Sequence, residues 1–94
     1  MKKVYINNRV YELNRVVFTM HERDDEDMPP MIIYTALNLS QGEYPWSAVV
    51  EYYNGTYDEC CLGGYGSEKE LAFAIYNSFL GMTTADFLES DLFD

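Results

Sequence analysis

The chain has 94 residues, of which 48% are hydrophobic and 16% aromatic, and it carries a formal net charge of −10. So much apolar material excludes a disordered acidic tail, and the length allows one modest core, so a single domain over residues 1–94 is expected. The acidity argues against direct binding to nucleic acid or to an anionic membrane, because either would repel most of the surface.

The charge is unevenly placed. Residues 1–23 hold five cations, Lys2, Lys3, Arg9, Arg15 and Arg23, against Glu12 and Glu22, a balance of +3. Residues 24–94 hold fourteen acids against Lys69 alone, a balance of −13. An imbalance of this size favours a basic partner. No apolar run approaches the roughly 20 residues of a membrane span. The opening Met-Lys-Lys-Val-Tyr-Ile turns polar at Asn7-Asn8 before any signal-peptide apolar region develops. A cytoplasmic protein is expected.

In chain order, Val4–Ile6 and Arg9–Leu13 flank Asn7-Asn8 and predict a first hairpin, since asparagine tolerates the left-handed backbone that a two-residue turn requires. The register sets Lys3 against Glu12 and Val4 against Tyr11, with Val4, Ile6, Tyr11 and Leu13 on the buried side. From Arg15 to Arg23 the pattern alternates, with Val16, Phe18 and Met20 on one face and Arg15, Val17, Thr19, His21 and Arg23 on the other, as in a half-buried strand. His21 falls on the polar face and is read as solvated rather than catalytic.

Asp24, Asp25, Glu26 and Asp27 followed by Met28-Pro29-Pro30 cannot extend a strand and predict an acidic loop. The spacing of a calcium loop is missing, so no metal is expected there. Met31–Leu39 is nearly continuous apolar sequence, which suits the sheet centre. A turn-rich connection follows, with Glu43 and Tyr44 exposed and Trp46 pinning it to the sheet edge.

Ser47–Tyr53 and Thr56–Leu62 flank Asn54-Gly55, the strongest short hairpin signal. A two-residue turn sets Tyr53 opposite Thr56, Tyr52 opposite Tyr57, Glu51 opposite Asp58, and Val50 opposite Glu59. Two carboxylates face each other in that register, which is normally destabilising. Ala48, Val50, Tyr52, Tyr57 and Cys61 would form the core side, and Val49, Tyr53 and Cys60 would share the outer side with Glu51 and Asp58. Adjacent cysteines on a strand point to opposite faces, so Cys60 and Cys61 predict neither an intrachain disulfide nor a zinc site.

Gly63–Gly66 reads as a flexible linker without the pattern of a phosphate loop. Ser67 with Glu70 three residues on is a capping box. Leu71, Ala74, Ile75, Ser78, Phe79 and Met82 then form a helical stripe flanked by Phe73 and Tyr76, and Gly81 ends the helix. Thr83 or Thr84 caps a second helix to about Ser90, with Phe87, Leu88 and Leu92 apolar and Asp86, Glu89, Asp91 and Asp94 acidic.

The fold expected is therefore α+β: an antiparallel sheet of about five strands containing two hairpins, then two C-terminal helices, the first packed on one sheet face. Catalysis needs a nucleophile with a base, a pocketed carboxylate pair or a metal. His21 is the single partner on offer to the cysteines, and the Glu51–Asp58 pair sits on the outer side without the burial that moves a carboxyl toward neutrality. No enzyme and no cofactor are expected. A carboxylate-bearing surface made of Asp24, Asp25, Glu26, Asp27, Glu43, Glu51, Asp58, Asp86, Glu89 and Asp91, with Tyr44 and Tyr53 as aromatic anchors, is the expected partner-binding site.

In size, acidity and tyrosine content the chain resembles the small phage and mobile-element inhibitors that mimic DNA, the anti-CRISPR and anti-restriction proteins. The resemblance implies inhibition of a nuclease by occupation of its basic nucleic-acid channel. The alternative is a non-enzymatic interaction or regulatory domain, monomeric or a homodimer joined at strand edges.

Overall fold

The structure, a computed structural model, describes residues 2–20, 31–40, 42–43 and 45–90. Five strands precede two helices: β1 (Lys3–Ile6), β2 (Arg9–Met20), β3 (Met31–Asn38), β4 (Trp46–Tyr52), β5 (Tyr57–Tyr65), α1 (Glu68–Leu80) and α2 (Thr84–Ser90). The strands form one antiparallel meander in the order β1-β2-β3-β4-β5 with α1 against it, an α+β fold. The apolar run of β3 lies at the sheet centre and is covered on both faces.

The first hairpin follows its sequence. Asn7 and Asn8 take φ of 49° and 66°, the left-handed pair of a type I′ turn, and Lys3 pairs with Glu12 and Val4 with Tyr11. The second hairpin departs from expectation by one residue. Tyr52 donates its N–H to the Thr56 carbonyl (2.9 Å) and accepts from Gly55 (2.9 Å), closing a three-residue loop of Tyr53, Asn54 and Gly55. Gly55 is the sole member of that loop with positive φ, at 85°. This is a type I turn completed by a left-handed glycine rather than a type I′ pair, and the sequence Asn-Gly serves both. Because side chains alternate, the one-residue slip turns the start of β5 over. Glu51 pairs with Tyr57 and Val50 with Asp58, so Glu51 and Asp58 are not opposed. Replacing Gly55 by alanine forces a Cβ into the left-handed region and is expected to cost about 1–2 kcal/mol, read from a chemical denaturation midpoint.

β2 is one twelve-residue strand, not a hairpin arm followed by a separate strand. Its register shifts between Leu13 and Arg15 and again between Val16 and Phe18. Each bulge gives neighbouring residues the same side. Val17 therefore joins Phe18 under α1, while Val16 is 51% exposed, the reverse of simple alternation. Gly63, Gly64 and Tyr65 continue β5 instead of forming a linker.

Two cores result. On the face away from α1, Val4, Ile6, Tyr11, Leu13, Ala36 and Val49 pack with Tyr34 and Tyr57. The sheet curls about this face until its edge strands β1 and β5 meet, and beside them Arg9 Nη1 at the start of β2 pairs with Glu59 Oε2 at 2.9 Å and Lys2 Nζ, just before β1, donates to the Tyr57 hydroxyl at 2.9 Å. Val49, expected on an outer side, is thereby wholly buried. On the other face, Met31, Ile33, Ala48 and Val50 pack against Leu71 and Ile75 of α1, with Phe18 stacked on Phe79 at 5.2 Å. Cys60 joins this core and Cys61 is exposed, the opposite of the expected pairing of faces. Trp46 is the first residue of β4 and packs into the same core rather than pinning a loop from outside.

Ser67 caps α1 by accepting from the Glu70 N–H at 3.2 Å. Gly81 ends it at φ 67°, donating to the Asn77 carbonyl at 3.0 Å. The buried stripe is rotated from the expected one. Ala72 and Tyr76 are buried with Phe87 of α2, whereas Ser78 is exposed. Thr83 and Asp86 exchange hydrogen bonds across the start of α2, at 3.2 and 3.4 Å. Leu88, expected on the apolar side of that helix, is 61% exposed.

Candidate functional site

Three polar assemblies organise the charged groups. The first ties the start of α1 to the sheet. Glu68 Oε2 accepts from the Thr35 hydroxyl at 2.7 Å and from the Asn14 amide, and lies 3.8 Å from Arg15 Nε. Thr35 is fully buried, and the Glu68 side chain retains 16% exposure. The bulge after Leu13 is what brings Asn14 and Arg15 together to this carboxylate.

The second lies on the inner face of the curled sheet. The Tyr34 hydroxyl donates to Glu51 Oε1 at 2.7 Å. That bond, with burial and the charge of Glu51, pushes the Tyr34 phenol up to about 12. Since the folded value lies above the ordinary 10, the stabilisation is complete below pH 10 and is lost as pH rises from 10 toward 12. An ultraviolet titration of the tyrosines is expected to show one phenol ionising near pH 12, and Tyr34→Phe to remove it.

The third is the seam between the sheet edges. The Arg9 guanidinium is held above its ordinary pKa by the Tyr11 hydroxyl and by Glu59, and the Lys2 ammonium by its bond to Tyr57. Burial raises the Tyr11 and Tyr76 phenols and the Cys60 thiol. A thiol raised in this way is a poor nucleophile at neutral pH.

The residues expected to meet a partner divide by position. Glu43, Asp58, Asp86 and Glu89 are exposed, and Tyr53 is 77% exposed at the tip of the second hairpin. Glu51 is half-buried and engaged by Tyr34, and the Asp86 carboxylate accepts from the Thr83 N–H at the start of α2. Asp24, Asp25, Glu26, Asp27, Tyr44 and Asp91, together with His21, Arg23, Leu92 and Asp94, lie outside the described residues. Among the described residues no three His, Cys, Asp or Glu side chains gather as metal ligands. No helix among them is long and apolar enough to cross a membrane.

One concavity was not foreseen from the sequence. A groove of about 420 Å³ runs between β5 and α1, walled by Leu62, Tyr65, Phe73 and Ala74, with Glu70, Asn77 and Ser78 along its polar margin. The helical spacing 70, 73/74, 77/78 marks one face of α1, but it was hidden by the expectation that Ala74 and Ser78 belong to the core stripe.

In comparison with known proteins, no family model, curated protein or solved structure matched the chain.

Proposed function

We propose that the chain is a non-catalytic binding protein whose outward carboxylates engage a basic protein partner, and that the partner surface is a nucleic-acid-binding groove, as in an inhibitor of a CRISPR or restriction nuclease acting by DNA mimicry. The observation that carries this reading is where the cations go. Arg9 pairs with Glu59 and Arg15 lies against Glu68, so cations of the basic N-terminal third are used within the chain. Glu43, Asp58, Glu70, Asp86 and Glu89 remain exposed, and no salt bridge is present at any of them among the described residues. A surface of this kind steers association with a basic groove and excludes acidic competitors.

The test is capture from a nuclease-treated lysate at low and high salt, with duplex DNA as competitor. Recovery of a nucleic-acid-binding protein that is lost at high salt and displaced by duplex supports the reading, and capture indifferent to both sinks it. The triple substitution Glu43→Lys, Asp58→Lys and Glu89→Lys is expected to slow association at least about tenfold while leaving the fold intact. Glu51 is left out because it holds the Tyr34 hydroxyl.

A second reading rests on the sheet edges. Among the described residues the outer edges of β1 and β5 have no ladder partner, although the two strands touch each other, and Tyr5 on β1 is 78% exposed. Pairing of copies through these edges makes a homodimer without any link to nucleic acid, and sedimentation over a concentration series distinguishes it. β1 is only four residues long and β5 is bulged, features that protect an edge rather than offer it.

A further inference from the structure

The geometry points to the groove between β5 and α1 as a receptor for one arginine side chain presented by the basic protein partner. This deepens the proposed function and rests on it. The groove's volume, about 420 Å³, lies within the range of small-ligand clefts, roughly 300–1,000 Å³. Its chemistry is divided in the way an arginine is divided. Leu62 and Ala74 offer apolar wall to a methylene stem, and the aromatic residues Tyr65 and Phe73, the latter also packed on Phe87 at 5.4 Å, line the groove where a planar guanidinium would stack.

The polar margin supplies acceptors. Ser67 accepts from the Glu70 N–H, but the reciprocal half of the capping box is not made: no hydrogen bond or ion pair holds the Glu70 carboxylate among the described residues. Glu70 is one of the residues that line the groove. Two turns along the helix, Asn77 spends its amide N–H on the Met82 carbonyl, which leaves its side-chain oxygen as an acceptor. A guanidinium matches this margin better than an ammonium, because its planar fork both stacks and bonds.

The probe is N-acetyl-arginine-N-methylamide, titrated into isotopically labelled protein and followed by amide chemical shifts. Saturable shifts centred on Leu62, Tyr65 and residues 70–78 are expected, with the lysine analogue about tenfold weaker. Glu70→Gln, which preserves helix and cap, is expected to weaken the arginine analogue about tenfold as well. Shifts at the groove no larger than those beside Glu43, Asp58 and Glu89, equal response to the lysine analogue, or an unchanged Glu70→Gln titration would each overturn the assignment. The wider reading fails separately, if the triple charge reversal leaves partner capture intact while the arginine titration persists.

Discussion

Leu71→Ala is expected to destabilise the protein by about 3–4 kcal/mol, seen as a lower urea midpoint with an unchanged slope. Leu71 is completely buried and stands with Ile75 where α1 meets Met31, Ile33, Ala48 and Val50. Truncation removes the transfer energy of the lost methyl groups and leaves a void. The rigid sheet beneath cannot rise to fill it. α1 depends on this contact, because a thirteen-residue helix is marginal in water on its own. A loss below about 1 kcal/mol would mean that α1 is not seated on the sheet by this side chain.

Glu68→Ala is expected to cost about 2–4 kcal/mol, measured in the same way. The substitution strips the Thr35 hydroxyl and the Asn14 amide of their shared acceptor and removes the carboxylate beside Arg15. The buried Thr35 hydroxyl is left with only the Arg15 carbonyl, at 3.4 Å, to donate to, and the half-buried Asn14 amide loses its acceptor, which is why the loss exceeds that of one ordinary hydrogen bond. It also deletes an acid from the first turn of α1, where the helix dipole favours one. Glu68→Gln keeps an acceptor in place and is expected to lose only about 1 kcal/mol, so the pair of variants separates the bonding from the charge. Equal losses in both would assign the effect to the charge.

How much of this was readable in the sequence depended on whether one local device had one structural solution. Asn7-Asn8 has one: both residues accept positive φ, and the hairpin register came out as the spacing implied. Asn54-Gly55 has two, since the glycine alone suffices for a three-residue loop, and the choice is made by packing that places Tyr57 with the inner core. The apolar run of β3 identified the sheet centre because burial on both faces needs no alternation. The bulges of β2 were illegible. Neither Asn14 nor Val17 marks a register shift, yet these shifts decide that Val17 is packed and Val16 exposed.

For the candidate site, the excess of acids was plain from composition, but the fate of the cations was not. Arg9 and Glu59 are fifty positions apart and meet only because the sheet curls. The groove was missed for a related reason. A stripe of mixed residues on α1 reads as core from periodicity alone, and only the position of β5 shows that Ala74 and Ser78 border an opening.

The seam between β1 and β5 has a consequence for how the molecule breathes. It is flanked by surface contacts that tie Lys2, just before β1, and Arg9, at the start of β2, to β5, with the Arg9 side chain 51% exposed and that of Glu59 23%, and surface ion pairs contribute little free energy. No sheet hydrogen bonds join the two strands. A partial opening at this end of the sheet lifts β1, with its pairing to β2 and its buried Val4 and Ile6, and admits water to Tyr11 and Leu13 while α1 stays seated on the opposite face. Amide protons of β1 should then exchange through this partial opening, and those of β3 only through global unfolding, giving the two sides of one sheet separate lifetimes.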